Sequence, residues 1–378
     1  MVASYTWHPG VKALGGKWVG VPAILPDETF SSWVVRTALN NGCDPLSLTS
    51  ELWPDWRCWG ADIDRGISNE RKNLLSHICG VDTDVLQPVF LERYALVFNN
   101  NRLLPYGIWQ WLLVIGARNR RRSIGLQYCP QCFLEDSLPY MRLNWRFAWH
   151  VRCALHKTEL QNSCNRCGQI FLPHMLEAHA ASVCICSSCG NNLAIKMAVS
   201  LDSDADLFQA MADSALKGNA VFLGKSVDPS EWFNAMHFLA STTYRIFKHN
   251  PKALMTFCKK IDIDTSIGSF SHEENIIEKM RACERIKIFQ CLYKFCELTE
   301  EKLIDCLLAS KVTMQSFVGD KEYIPLLLLP TVNSLTQNKK ARRPKIVLSD
   351  QGPRSHSLVK SKMKALLKRV FEIKNERS

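Results

Sequence analysis

The sequence predicts a mainly α-helical protein in which small zinc-knuckle modules separate an N-terminal helix-turn-helix-like region from a C-terminal helical domain and basic tail. Three observations carry that expectation. Apolar residues recur with helical spacing before residue 100 and again beyond Leu201, cysteines and one histidine between Cys129 and Cys189 are spaced as two four-ligand sets, and the last forty or so residues hold nearly all the net charge. The expected segments are 1–24 (irregular), 25–125 (helical, helix-turn-helix-like), 126–200 (double zinc-binding), 201–336 (helical) and 337–378 (basic linker and amphipathic helix). At 378 residues and 47% hydrophobic content the chain has room for two or three domains with sizeable cores.

A Gly- and Pro-rich start gives way at Asp27-Glu28-Thr29 to a helical pattern through Phe30, Trp33, Val34 and Leu39, with Asn41-Gly42 as its stop. A short helix is expected after Asp44-Pro45, and the Trp- and Asp-rich stretch from Trp53 to Gly66 reads as a loop. Ser68 can cap a helix running through Leu74, Leu75 and Ile78 to Gly80. Asp82 can cap the next, with Val85, Leu86, Val89, Phe90 and Tyr94 on one face; Pro88 either kinks that helix or marks its start. Helix, glycine turn and helix fit a helix-turn-helix, and equally any αα-corner. Arg118, Arg120, Arg121 and Arg122 then form a basic run suited to phosphates or to solvating a loop.

The first ligand set is Cys129-Pro-Gln-Cys132, followed about twenty residues later by Cys153-Ala-Leu-His156; the second is Cys164-Asn-Arg-Cys167, answered by Cys186-Ser-Ser-Cys189. A tight turn with two residues between ligands aims both at one ion about 2.0–2.3 Å away, and two such turns complete a closed tetrahedral zinc shell. Two zinc ions are therefore expected, in structural sites. Cys184 competes with Cys186, which alone reproduces the two-residue spacer; His174 and His179 lie near the second set and His150 near the first. A redox CxxC would open a helix in a βαβ unit, which none of these pairs is expected to do. Short strands, knuckles and one helix between ligand pairs should complete the region. The other cysteines (Cys43, Cys58, Cys79, Cys258, Cys283, Cys291, Cys296, Cys306) mostly fall in apolar helical patterns, as reduced core residues of a cytoplasmic protein without a signal peptide do.

Beyond Leu201, helices are expected over Asp204 to Leu216, Pro229 to Phe247, Glu273 to Leu298 and Glu300 to Leu308. From Gln337 onward thirteen basic residues, among them Lys339, Lys340, Arg342, Arg343, Lys345, Lys360, Lys364, Lys368 and Arg369, face three acidic ones, a surplus of ten within a chain total of +11. That concentration fits a phosphate-binding arm, or a helix for an acidic partner surface. The longest apolar runs fall far short of the ~20 residues of a spanning helix. No GxxxxGK[ST], HExxH, GxSxG or evident carboxylate cluster is present, so no catalytic residue is assigned and no enzyme is expected.

The run Tyr128-Cys129-Pro130-Gln131-Cys132-Phe133-Leu134-Glu135-Asp136, followed by Pro139-Tyr140-Met141-Arg142, Trp145-Arg146, Cys153-Ala154-Leu155-His156 and Cys164-Asn165-Arg166-Cys167-Gly168, resembles the TniQ family, which includes the TnsD target selectors of Tn-type transposons. Asp27-Glu28-Thr29-Phe30-Ser31-Ser32-Trp33 resembles the family's N-terminal opening, and the likeness extends over Leu25 to Asn192. The resemblance implies a non-catalytic target-selection adaptor with N-terminal helix-turn-helix elements and structural zinc, which recognises target DNA and recruits an AAA+ ATPase that directs the transposase. One alternative docks the chain on an RNA-guided CRISPR effector complex; another is a zinc-containing DNA-binding transcription factor. DNA, the ATPase, effector subunits and a second copy of the chain are the partners considered. Trp145, Phe147 and Trp149 should pack over the metal module, and Arg146 should pair with a carboxylate or a phosphate.

Overall fold

The computed structural model describes residues 18, 20–99, 107–115, 126–199, 203–265, 276–321 and 323–337. About half of the described residues are helical, with little strand. Helix α1 (Phe30–Asn40) starts where Thr29 accepts the backbone N–H of Ser32, and it buries Phe30, Trp33, Val34 and Val35. Asp44 caps α2 (Pro45–Leu52), and Ser68 caps α3 (Asn69–Cys79), which stops at left-handed Gly80. Two 3-10 turns interrupt the loop between α2 and α3.

The helix expected from Asp82 to Tyr94 is broken into pieces. Asp82 does accept the Asp84 N–H, at 3.1 Å, but α4 is only Thr83–Leu86. Pro88 has no N–H to continue the ladder. The chain passes through 3-10 turns at Gln87–Val89 and Leu91–Tyr94, burying Val89, Phe90 and Leu91 on the way, before α5 (Ala95–Asn99) forms.

Between the ligand pairs the backbone makes isolated bridges (Tyr128 with Gln161, Arg152 with Glu159, Ser163 with Ile170, Ile185 with Asn192) and one 3-10 turn, Pro173–Met175. Cys129 caps α6 (Pro130–Glu135), so the first CxxC does open a helix, contrary to expectation, because Pro130 at N1 is preset for one. No βαβ unit accompanies it among the described residues.

Helix α7 (Asp204–Leu216) matches its expected bounds, and a two-stranded hairpin follows, β1 (Ala220–Phe222) against β2 (Lys225–Val227). Leu223 and Gly224 both take positive φ in its turn, a geometry that an LG pair signals weakly. Next come α8 (Pro229–His249), α9 (Lys252–Lys260), α10 (Ala282–Cys296), α11 (Glu300–Ala309), α12 (Met314–Val318) and α13 (Leu329–Asn333). The helix expected from Glu273 starts at Ala282, where Glu284 accepts the Arg281 N–H; Glu273 itself lies outside the described residues. No helix among the described residues is long and apolar enough to cross a membrane.

Three cores result. One gathers Phe30, Trp33, Leu52, Trp53, Ile63, Leu75 and Phe90 under the N-terminal helices. A second surrounds the cysteines with Val35, Tyr128, Phe133, Met141, Trp145 and Phe171. The largest joins Leu91, Ala95, Phe98, residues 109–113 and residues 143–151 to the helices beyond 204, with Trp111 against Trp149, Phe208, Phe233 and Phe289. The Trp111 indole donates to the Phe233 carbonyl at 3.0 Å, and its backbone N–H donates to the buried Glu278 carboxylate at 2.8 Å. Of the three aromatics expected over the metal module only Trp145 is there. Phe147 and Trp149, brought together by a turn in which the His150 N–H donates to the Phe147 carbonyl at 3.1 Å, stack at 4.5 Å in the largest core beside Phe233.

Candidate metal centres

Each ligand pair after the first sits on the same small turn. The N–H of Cys153 donates to the Thr158 carbonyl, and the Lys157 N–H closes back on the Cys153 carbonyl at 2.9 Å. Cys164 repeats this with Gln169 and Gly168, and Cys186 with Asn191 and Gly190. The residue after the second ligand is left-handed each time: Lys157 at φ 53°, Gly168 at 71° and Gly190 at 68°. This position reverses the chain so that both ligands point inward. A Cβ at Gly168 would meet nothing within 4 Å, so Gly168→Ala tests backbone conformation alone. Its expected cost is about 1–2 kcal/mol in a urea melt, while metal stoichiometry stays unchanged because Lys157 shows that a side chain fits this geometry.

The turns bring Cys129, Cys132, Cys153 and His156 together at one point and Cys164, Cys167, Cys186 and Cys189 at another, with the donor atoms of each group within 4.8 Å of one another. In the first, His156 Nδ1 lies 3.5, 3.3 and 3.5 Å from the sulfurs of Cys129, Cys132 and Cys153, and Cys132 Sγ lies 3.6 Å from Cys153 Sγ. In the second, Cys164 and Cys189 are 3.8 Å apart and Cys167 and Cys186 3.7 Å. Metal–sulfur bonds of about 2.3 Å at tetrahedral angles separate two sulfurs by about 3.8 Å. Both groups have the dimensions of a four-coordinate site able to hold a metal ion.

Electrostatics point the same way. In the first group, hydrogen bonds from Cys132 and Cys153 push the Cys129 thiol far down, and the bond to Cys129 pushes Cys132 up. Protons are thus shared among crowded sulfurs that only a cation lets ionise together. In the second, burial opposes ionisation of Cys164, but the N–H groups of Cys167 and Arg166 bring its thiol down to about 7. His156 turns its other nitrogen, Nε2, to Glu135 at 2.9 Å, the carboxylate–histidine arrangement that fixes a ligating ring.

The competing ligands are placed elsewhere. Cys184 is buried in the surrounding core, His174 stacks on Trp59 at 4.9 Å, and His179 is exposed beside Glu177. His150 Nε2 meets Asp213 at 2.8 Å, in company with the Trp149 indole. Arg146 found carboxylates: it is 1% exposed and reaches Asp64 at 2.5 Å, Asp62 at 2.7 and 3.1 Å, and the Leu113 carbonyl at 3.1 Å. Asp64 also accepts the N–H and hydroxyl of Ser31 at the start of α1. These bonds tie the first core to the chain between the ligand pairs. Sequence reading placed Asp62 and Asp64 in a loop without a role; their Asp-x-Asp spacing was the available signal. Arg118, Arg120, Arg121 and Arg122, and the tail cations from Lys339 to Arg369, lie outside the described residues.

Residues 20–160 match the family model described as TniQ. No curated protein matches the chain. Proteins of this family are in general non-catalytic adaptors associated with transposition, whose partners are DNA and transposition proteins. The Cys-Pro-x-Cys, Trp-Arg and Cys-x-x-His elements all fall inside the matched span, whereas the second cluster begins just beyond it, at Cys164. Over residues 20–160 the chain carries a domain that matches the TniQ family.

Proposed function

We propose that this protein is a non-catalytic target-selection adaptor of a Tn-type DNA transposition system, that it recognises target DNA and recruits an AAA+ ATPase, and that both clusters hold zinc. The observation that supports this reading best is the use made of the family's Trp-Arg pair. Trp145 packs into the metal core against Phe133, and Arg146 grips the loop beneath the N-terminal helices. The matched span is thereby knit around a four-donor site, as a rigid adaptor surface requires. A closed shell of three thiolates and an imidazole, or of four thiolates, at tetrahedral spacing suits zinc and leaves no position for a reacting water. The test is capture of an AAA+ transposition ATPase by the purified full chain. Retention of the ATPase on the chain supports the reading; no retention with or without DNA overturns it. Retention of CRISPR effector subunits in the same sample moves target reading to the guide.

The basic segment from Gln337 on is proposed as a sequence-independent grip on DNA. Each phosphate neutralised by Lys or Arg releases counterion, so log K falls with log salt by roughly 0.9 per contact. Deleting Gln337 to Ser378 should flatten that slope by several units and weaken binding to all duplexes about equally, with zinc content and ATPase capture intact. Affinities across a salt series for both proteins check this; equal slopes defeat it.

A further inference from the structure

Helix α9 divides into two faces. Leu254, Phe257 and Cys258 are buried against neighbouring helices, among them α11 and α12, which fixes the helix in rotation. Lys252, Thr256, Lys259 and Lys260 are exposed, at spacings of four, three and one that put them on one stripe. The stripe is about 12 Å long at 1.5 Å per residue. No acidic residue occurs on α9. Among the described residues no ion pair uses these three lysines; the nearby pairs Lys225–Glu300 and Lys294–Asp204 employ other cations. Asp262 and Asp264, which follow α9, line a separate cavity with Asp204 and Lys294.

The helix is also presented at a corner. Helix α8 ends in exposed Lys248 and His249, Asn250 takes the left-handed conformation at φ 47°, and Pro251 starts α9 at once. A two-residue turn between a 21-residue and a 9-residue helix leaves little freedom for the stripe to move relative to the core. The lysine ammonium groups are therefore held by a rigid scaffold but are not neutralised by it.

We infer that the exposed face of α9, through Lys252, Lys259 and Lys260, is a second phosphate-contacting surface for duplex DNA, separate from the C-terminal arm. This rests on the DNA-binding reading above and locates part of it in the folded helical region. The stripe carries point charges and a hydroxyl with no aromatic anchor. Lysine is depleted in protein–protein interfaces, whereas a row of lysines is a common grip on a phosphate backbone, spaced about 3.4 Å along each strand.

The test uses the full chain and a duplex of unrelated sequence. The triple variant Lys252→Ala, Lys259→Ala, Lys260→Ala is compared with a control that removes the same charge from scattered exposed positions, Lys196→Ala, Lys217→Ala, Lys302→Ala. The α9 variant should lower the salt slope by about two to three units, with metal content and ATPase capture unchanged; the control should lower it by less than one. Equal losses in the two triples, or an unchanged slope in the α9 variant, overturn the inference while the DNA-binding reading stands. Loss of ATPase capture at an unchanged slope also overturns it and assigns the face to an acidic protein. Absence of DNA binding by the wild type overturns the DNA-binding reading and this inference together.

Discussion

Stripping metal from this protein is expected to unfold residues 126–199 instead of leaving a folded, metal-free module. Six of the seventeen buried apolar residues in the core around the clusters are cysteines, five of them in the ligand sets and the sixth Cys184. The roughly 10–16 kcal/mol of zinc binding in comparable small sites is folding free energy, because no preformed site exists in the open chain. Metal analysis should give two zinc ions per chain, and Cys132→Ser and Cys167→Ser should each lose one.

The two losses should differ in reach. The first cluster shares its core with Val35 of α1 and with Trp145, so Cys132→Ser should increase hydrogen exchange in α1 and change Trp145 emission. In the second, Cys167 is exposed and Cys189 half-buried, so exchange after Cys167→Ser should rise only locally, around residues 164–192. A stoichiometry of one or none, or full protection of the region after chelation, is incompatible with this account.

Replacing Arg146 by Met should cost about 3–5 kcal/mol, since it leaves the Asp64 carboxylate, with a fully buried side chain, and its neighbour Asp62 without their shared counter-charge. Lysine should not rescue it, because four hydrogen bonds in one plane require a guanidinium. The loss should depend on pH with a definite sign. Burial opposes ionisation of Asp62, but Arg146 and then Arg65 outweigh it and hold the carboxyl below its usual range, whereas burial pushes Asp64 up. The stabilisation from Asp62 is present above the unfolded carboxylate value of about 4 and fades as pH falls through the folded one. Protonation of Asp64 at acid pH relieves the variant in the same direction. Urea melts of both proteins should therefore show the gap narrowing below about pH 4; a gap that is constant or widens at low pH rejects the pairing as its source.

Sequence alone determined what short-range chemistry controls. The helix starts after Thr29 and Asp44, the caps Ser68 and Asp82, the stop at Gly80 and the bounds of α7 follow from hydrogen bonds within a few residues. The two ligand sets follow because a Cys-x-x-Cys turn aims its own donors, and only the pairing of turns is long-range. The two-residue spacer also chose Cys186 over Cys184 for the same local reason. What needed the tertiary structure was every choice made across distance. Pro88 divides a pattern whose periodicity continues through it, because the chain gains more by turning to bury Phe90 and Leu91 than by prolonging a helix with a missing bond. Trp145 and Trp149 read alike in sequence and go to different cores, since a 3-10 turn ending at Arg146 is followed by a second turn, Phe147 to His150, that carries Trp149 against Phe233 of α8. Arg146 finds its carboxylates more than eighty residues earlier, and α9 shows its lysines outward, because burial selects among partners and faces that sequence spacing leaves equivalent.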